Sequence, residues 1–268
     1  MQFAINYSPQ TESLRTAGHV VVDRYKCPAW PDLIATASQS RPTYVHAPLS
    51  TKELSAVTWD SLNALLDATD TPYLNLHLEA GPAEFPEIPV SSQEPAHARQ
   101  IIHHFVDAVR QVAQRSGGRR VIVENVIYRG PQGKSHYLAV DPAVITTVIL
   151  ETGCGLLLDT AHAAVTAAYL GVRPQDYLLG FPTDALCEWH VTGARPIDGR
   201  LRDHLQLSDA DWTLTEWAAE RVRLGDWPKP WALALEYGGI GPTFEWRSDP
   251  AVIVHDAPRL HRLVEGLR

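Results

Sequence analysis

The sequence predicts an α/β protein built as a single (β/α)8 TIM barrel over residues 1–268. Three observations lead there. Eight short apolar or β-branched runs alternate with helix-like stretches along the chain, the order that gives a parallel sheet flanked by helices. A length of 268 residues suits one barrel of about 250 residues. The first run is not followed by a G-x-G-x-x-G turn, which weakens the nucleotide-binding forms of the rival doubly wound sheet.

In chain order the strand-like runs are FAIN (3–6), VVVDRYKC (20–27), TYVHAP (43–48) and YLNLHLE (73–79). They continue as RVIVENV (120–126), GLLLD (155–159), LCEWHVTG (186–193) and WALALEYGG (231–239). Each is short and rich in residues that favour a pleated, buried surface. Between them lie the amphipathic segments TWDSLNALLDATD (58–70), AHARQIIHHFVDAVRQVAQRSGG (96–118) and SDADWTLTEWAAERVRLG (208–225). In the second, Ile101, Ile102, Phe105, Val106, Val109 and Val112 recur at the helical period, and a Gly-Gly pair ends it. After GLLLD, an alanine-rich run up to Gly171 reads as a further helix.

Bulk composition narrows the function classes. Hydrophobic residues make up 45% and charged residues 20% of the chain, ordinary values for a soluble globular protein. No apolar run approaches the roughly 20 residues of a membrane span, and MQFAINYSPQ lacks the features of a signal peptide. Cys27, Cys154 and Cys187 cannot all pair and form no C-x-x-C, so a cytoplasmic location is expected. The net charge of −8 speaks against a phosphate-backbone binder. The expected partner is a small-molecule or peptide substrate rather than nucleic acid or a membrane.

The ends of the strands carry the functional reading, because a barrel gathers its active site from the C-terminal ends of its strands. Strand three ends in His46, strand four in His77, and strand five offers Glu124 and Asn125. Strand six ends in Asp159, with His162 one helical turn onward. Strand seven gives His190, the loop RLRDHLQL after it carries Asp203 and His204, and strand eight ends in Glu236. Alone, Asp159 would read as the N-cap of the next helix. Here five of the 12 histidines fall at the expected mouth, beside three carboxylates set in apolar runs. Burying so many chargeable groups without a counter-charge is unfavourable by several kcal/mol per ion, and metal cations would remove that penalty.

His46, His77, Glu124, Asp159, His162, His190, His204 and Glu236 are therefore the expected metal ligands. Eight donors exceed the need of one ion, so two or three divalent ions are expected. Imidazole and carboxylate donors suit iron, zinc or manganese, and the lack of thiolate ligands disfavours a structural zinc site. Glu124, Glu236 and His204 are the expected catalytic groups. Lys26, Asn125, Tyr128, Arg129 and Arg195 flank the mouth and are expected to hold the substrate. His97, His103, His104, His255 and His261 are expected on solvated or partly packed helical surface, and His19 and His136 near a turn or loop. Of the cysteines, Cys27 alone, beside Lys26 at a strand end, is expected to be able to face the mouth.

These residues resemble the xylose isomerase-like, endonuclease IV-type TIM-barrel superfamily over nearly the whole chain. The D-T-A-H-A of 159–163 resembles endonuclease IV, whose three-zinc site takes its ligands in this strand order. LLLDTAHAAVTAAYLGVRPQDYLLGFP (156–182) is similar to a segment of the multinuclear non-haem iron-dependent oxidases of the methanobactin-biosynthesis type. That family modifies cysteine residues in ribosomally made peptides. EWHVTGA (188–194) resembles its strand-seven histidine motif, LSDADWTLTEW (207–217) resembles a helix start, and VIVENV (121–126) carries the Glu-Asn pair common to both families. Two positions depart from the pattern. The oxidases usually place Asn where His162 stands, and the D-x-H after strand seven falls on Arg202-Asp203-His204, so that Arg202 occupies the Asp slot.

The resemblance implies a metal-dependent enzyme with a di- or trinuclear site, an iron-dependent oxidase acting on a thiol or peptide. Two alternatives stand beside it. One is a zinc- or manganese-dependent sugar (phosphate) isomerase or epimerase, or a phosphoesterase-type hydrolase, in which the metal lowers the pKa of a bound water. The other is a non-catalytic metal-binding barrel.

Overall fold

A computed structural model of the chain describes residues 1–47 and 49–268. Its strands are β1 (Gln2–Asn6), β2 (Arg24–Cys27), β3 (Thr43–Val45), β4 (Tyr73–His77), β5 (Arg120–Glu124), β6 (Gly155–Asp159), β7 (Leu186–Val191), β8 (Gly193–Ile197), β9 (Arg200–Leu205) and β10 (Ala232–Leu235). The helices are α1 (Pro9–Thr16), α2 (Pro31–Ser38), α3 (Trp59–Ala68), α4 (Pro95–Arg115), α5 (Pro142–Thr152), α6 (Thr160–Leu170), α7 (Pro174–Leu178), α8 (Asp209–Leu224), α9 (Gly241–Phe244) and α10 (Pro250–Glu265). Apart from the β8–β9 pair, strands and helices alternate as the α/β class requires. Pro48, the last residue of the expected run TYVHAP, lies outside the described residues. Among the described residues no helix is long and apolar enough to cross a membrane.

The chain divides into two compact units. One comprises Met1–His46, Leu65–Thr71 and Cys187–Arg268; the other comprises Ala47–Ala64 and Pro72–Leu186.

In the first unit the parallel strands run in the order β3-β2-β1-β10-β7. Phe3, Ala4 and Ile5 of β1 and Ala232 to Leu235 of β10 are all 0% exposed, the continuous apolar character of strands covered on both faces. Helix α10 buries Ile253, Ala257, Leu260 and Val264, one face at helical spacing, and the His261 ring meets Phe3 edge-on at 5.9 Å. Ala4 and Ala234, small side chains, leave room for the Tyr44 ring, which also packs edge-on against Trp231 at 5.0 Å. The expected strand 20–27 is shorter than read. The Asp23 carboxylate accepts the Phe3 N–H at 2.7 Å, so a side chain takes the place of a ladder bond and pairing begins at Arg24. Strand β10 likewise stops at Leu235, which makes Glu236 the first residue past its C-terminal end.

In the second unit the order is β6-β5-β4, again parallel. Val121 to Val123 and Leu156 to Leu158 are buried, and α4, which packs against β5, buries Ile101, Phe105, Val106, Val109 and Val112, five of the six residues that set the helical period in the sequence. Helix α5 is capped by Asp141 and closed by Gly153 at φ 69°, and α6 is capped by Asp159 and closed by Gly171 at φ 70°.

The expected loop after strand seven is a β-hairpin. β8 and β9 pair antiparallel, Ile197 opposite Arg200. Asp198 and Gly199 between them have φ of 50° and 74°, the two positive values that a type I′ turn needs. At the base, a Cβ on Gly193 would lie 1.9 Å from the Gln206 carbonyl oxygen, so only glycine closes it.

Candidate metal centre

In the second unit, register builds the donor set. His77 and Glu124 are paired across β4 and β5, so their side chains leave the sheet side by side, His77 Nε2 3.1 Å from Glu124 Oε2. His77 Nδ1 lies 3.0 Å from the Leu49 carbonyl oxygen; a carbonyl only accepts, so the hydrogen is on Nδ1. Burial opposes the His77 imidazolium, but the charge and hydrogen bond of Glu124, with the Leu49 carbonyl, outweigh it and raise its pKa. One strand over, Asn125 clamps the Asp159 backbone from both sides, donating to its C=O at 2.9 Å and accepting its N–H at 2.8 Å. Asp159 Oδ1 then accepts the His162 N–H at 2.9 Å as the N-cap of α6. Its Oδ2 is buried with no hydrogen-bond partner among the described residues and lies 3.6 Å from His162 Nε2. His162 donates from Nδ1 to the Asn125 carbonyl at 2.8 Å, which turns Nε2 toward that carboxylate.

The cap reading of Asp159 and the ligand reading thus describe different oxygens of one side chain. A fully buried carboxylate with an oxygen unspent is costly in a dry interior, and two carboxylates and two imidazoles with fixed tautomers are a donor chemistry that iron, zinc and manganese accept. The residues fit a divalent metal. His162→Asn is expected to lose about one ion per chain, with a stability drop near 1 kcal/mol for the hydrogen bond to Asn125. Metal analysis beside a thermal melt reads both; full metal occupancy in the variant would leave His162 as a residue of the first helical turn only.

In the first unit His46, just past β3, His190 on β7 and Glu236, just past β10, bring donor atoms within 4.8 Å of one another. The His46 and His190 rings stand 5.0 Å apart, and His190 Nδ1 is 3.2 Å from Glu236 Oε1. Lys26, on β2, forms a buried ion pair with that same Glu236 oxygen. His204, on β9, has the positive φ of 55° and places Nδ1 3.1 Å from the Glu236 carbonyl. Its Nε2 comes within 3.6 Å of Asp203 Oδ2. The register shift between Gly193 and Arg195 and the left-handed turn at His204 break strict alternation, which lets neighbouring residues 203 and 204 approach. Arg202 points elsewhere, 3.8 Å from Asp198.

One further residue of this set, Glu188, was not read from the sequence. Glu188 Oε1 accepts from His190 Nε2 at 2.9 Å and from the Tyr44 hydroxyl at 2.8 Å; both partners and Glu188 itself are buried. The carboxylate fixes the His190 tautomer and ring, presenting Nδ1 to Glu236, as carboxylates do behind ligating histidines. The signal was present in the Glu188-x-His190 spacing, since residues two apart share one face of a strand. Glu188→Gln is expected to weaken metal binding by about 10–100-fold; an unchanged affinity by chelator competition would reduce Glu188 to a packing role.

The expected substrate residues fall into different surroundings. Lys26 is 3% exposed and engaged with Glu236. Asn125 is committed to the Asp159 backbone. Tyr128 is buried with Val126 and Val140, edge-on to Tyr137 at 6.0 Å. Arg129 is half-buried. Arg195 lies exposed on the hairpin, donating to the Gln206 carbonyl at 3.1 Å. Cys27 is 1% exposed, and burial pushes its thiol up to about 12; it is a packed hydrophobe rather than a group facing the mouth. His136 is on a loop, as expected, but fully buried.

Residues 50–231 match the model of the family described as RiPP precursor modification enzyme MbnB/TglH/ChrH. The chain belongs to the MbnB/TglH/ChrH family. Two relatives are UPF0276 proteins. That of Acaryochloris marina is 27% identical over 156 residues, 57% of this chain and 50% of its own length. That of Caulobacter vibrioides is 39% identical over 81 residues, 30% and 28% respectively. The chain thus spans half or less of the length of these relatives. Among solved structures, D-psicose 3-epimerase in the presence of D-fructose superposes at a TM-score of 0.58 with 14% identity, covering 100% of this chain and 99% of that one. A xylose isomerase domain protein from Alicyclobacillus acidocaldarius gives 0.56 with 15% identity and 98% of both chains. Likeness at that identity shows the fold, and the fold of this MbnB/TglH/ChrH member is the TIM barrel.

Proposed function

We propose that this MbnB/TglH/ChrH member is an iron-dependent oxidase that modifies a thiol-bearing residue of a ribosomally made peptide. One observation carries the proposal. The matched segment, 50–231, contains six of the eight expected ligands: Glu124, Asp159 and His190, which are buried, and His77, His162 and His204, half-buried, each with Nδ1 on a backbone carbonyl. In this reading His77, Glu124, Asp159 and His162 hold metal in the second unit, and His46, His190, His204 and Glu236 hold it in the first, two or three ions in all. Bound there, iron supplies the one-electron and dioxygen chemistry that no side chain has. The chain's own residues do the rest. The backbone carbonyls of Leu49, Asn125 and Glu236 hold the Nδ1 hydrogens of three histidines, so that Nε2 of each is the donor. Arg129 and Arg195 anchor acidic groups of the peptide, and the protein works in the cytoplasm, where its three cysteines stay reduced.

The test is direct. Protein purified without added metal is analysed for metal, then incubated with a cysteine-containing precursor peptide with and without air. Iron, a visible absorption change on thiol addition, and an oxygen-dependent mass change in the peptide are the expected results. Zinc or manganese with no dependence on oxygen would overturn the oxidase and favour isomerase, epimerase or hydrolase chemistry on the same ligands.

A further inference from the structure

The two donor sets differ in charge. His77, Glu124, Asp159 and His162 bring two carboxylates. His46, His190 and Glu236 bring one, and the Lys26 ammonium already sits on it. Lys26 is 3% and Glu236 6% exposed. The lysine is held in register beside Asn6 on one side and Tyr44 on the other, so its stem is fixed by the sheet. The oxygen it contacts, Glu236 Oε1, is the one 3.2 Å from His190 Nδ1. A divalent ion entering this set must displace the ammonium from that oxygen and then remain beside a buried positive charge.

We propose that Lys26 is a built-in competitor for metal, so that the chain loads its ions in two steps. The Glu124–Asp159 set takes the first ion tightly. The Glu236 set takes the next weakly and releases it readily, because Lys26 reclaims the carboxylate. This rests on the metal-centre reading above and adds an order of loading to it.

Titrating the demetallated full chain with Mn2+, with free Mn2+ followed by electron paramagnetic resonance, tests it. The wild type is expected to show two classes of site separated by about tenfold or more in Kd. Lys26→Met is expected to tighten the weak class by about tenfold or more and leave the tight class unchanged. Lys26→Arg keeps the charge and keeps the weak class weak. Should Lys26→Met not fold without metal, Lys26→Gln, which retains an amide donor to Glu236, replaces it. One class of equal sites in the wild type, or a weak class indifferent to the loss of the charge, overturns the proposal. Absence of any Mn2+ binding overturns the metal-centre reading instead, and Glu124→Gln, expected to erase only the tight class, tells the two sets apart.

Discussion

Asp159→Asn is expected to lose tightly bound metal while the metal-free protein melts close to wild type. Asparagine caps a helix about as well as aspartate, so the bond from the His162 N–H to Oδ1 survives the exchange. The Asn125 clamp acts on the backbone of residue 159 and is indifferent to the side chain. What disappears is a buried negative charge and the anionic Oδ2, the donor a cation needs. Metal affinity should fall by at least the 10–100-fold seen when even an outer partner of a ligand is removed. Asp159→Ala adds loss of the cap, about 1 kcal/mol, and separates the two roles. Metal analysis and calorimetry on both variants give the answer: an asparagine variant that keeps its full metal content makes Asp159 a cap and nothing more.

Glu236→Gln is expected to be the most destabilising of the single changes, for a reason that lies in Lys26 rather than in the metal. The pair is buried, and removing one member of a buried pair leaves the other charge uncompensated, a loss of about 3–5 kcal/mol. For a chain of this size, that lowers the melting temperature by about 10 °C. Adding Lys26→Met should recover most of it, because the double variant buries no charge at this position. Metal content falls in both. Equal melting temperatures for Glu236→Gln and wild type would show that water or a neighbour already neutralises the lysine.

Much of this was legible in the chain. An apolar strand interrupted by histidine, glutamate or aspartate at or next to its last residue stands out, and His77, Glu124, Asp159 and His190 were picked out that way. His46 and Glu236 were found too, although their strands end one residue earlier, because a strand's final side chain and the next one both lie at its mouth end. Lys26 was legible as a position but not as a partner: it meets Glu236 across 210 residues of sequence, and charge pairing at that separation leaves no local pattern. The hairpin was missed although Asp198-Gly199 is a strong turn signal. Arg195, Arg200 and Arg202 spoil the apolar alternation, and Pro196 argues against a strand, which holds for a central strand but not for a two-stranded ribbon.

That hairpin separates two kinds of change available to the protein. His204 sits near its base, where Gly193 and Gln206 touch and tolerate no side chain, whereas the tip, Asp198 to Arg200, is exposed. Exposed tips absorb insertions and substitutions that bases do not. Lengthening the ribbon by whole pairs at its turn, or recasting Arg195, Arg200 and Arg202, would redraw what the protein first meets in solution while the imidazole at 204 keeps its place. The ribbon can therefore drift from one relative to the next without disturbing the imidazole at its base.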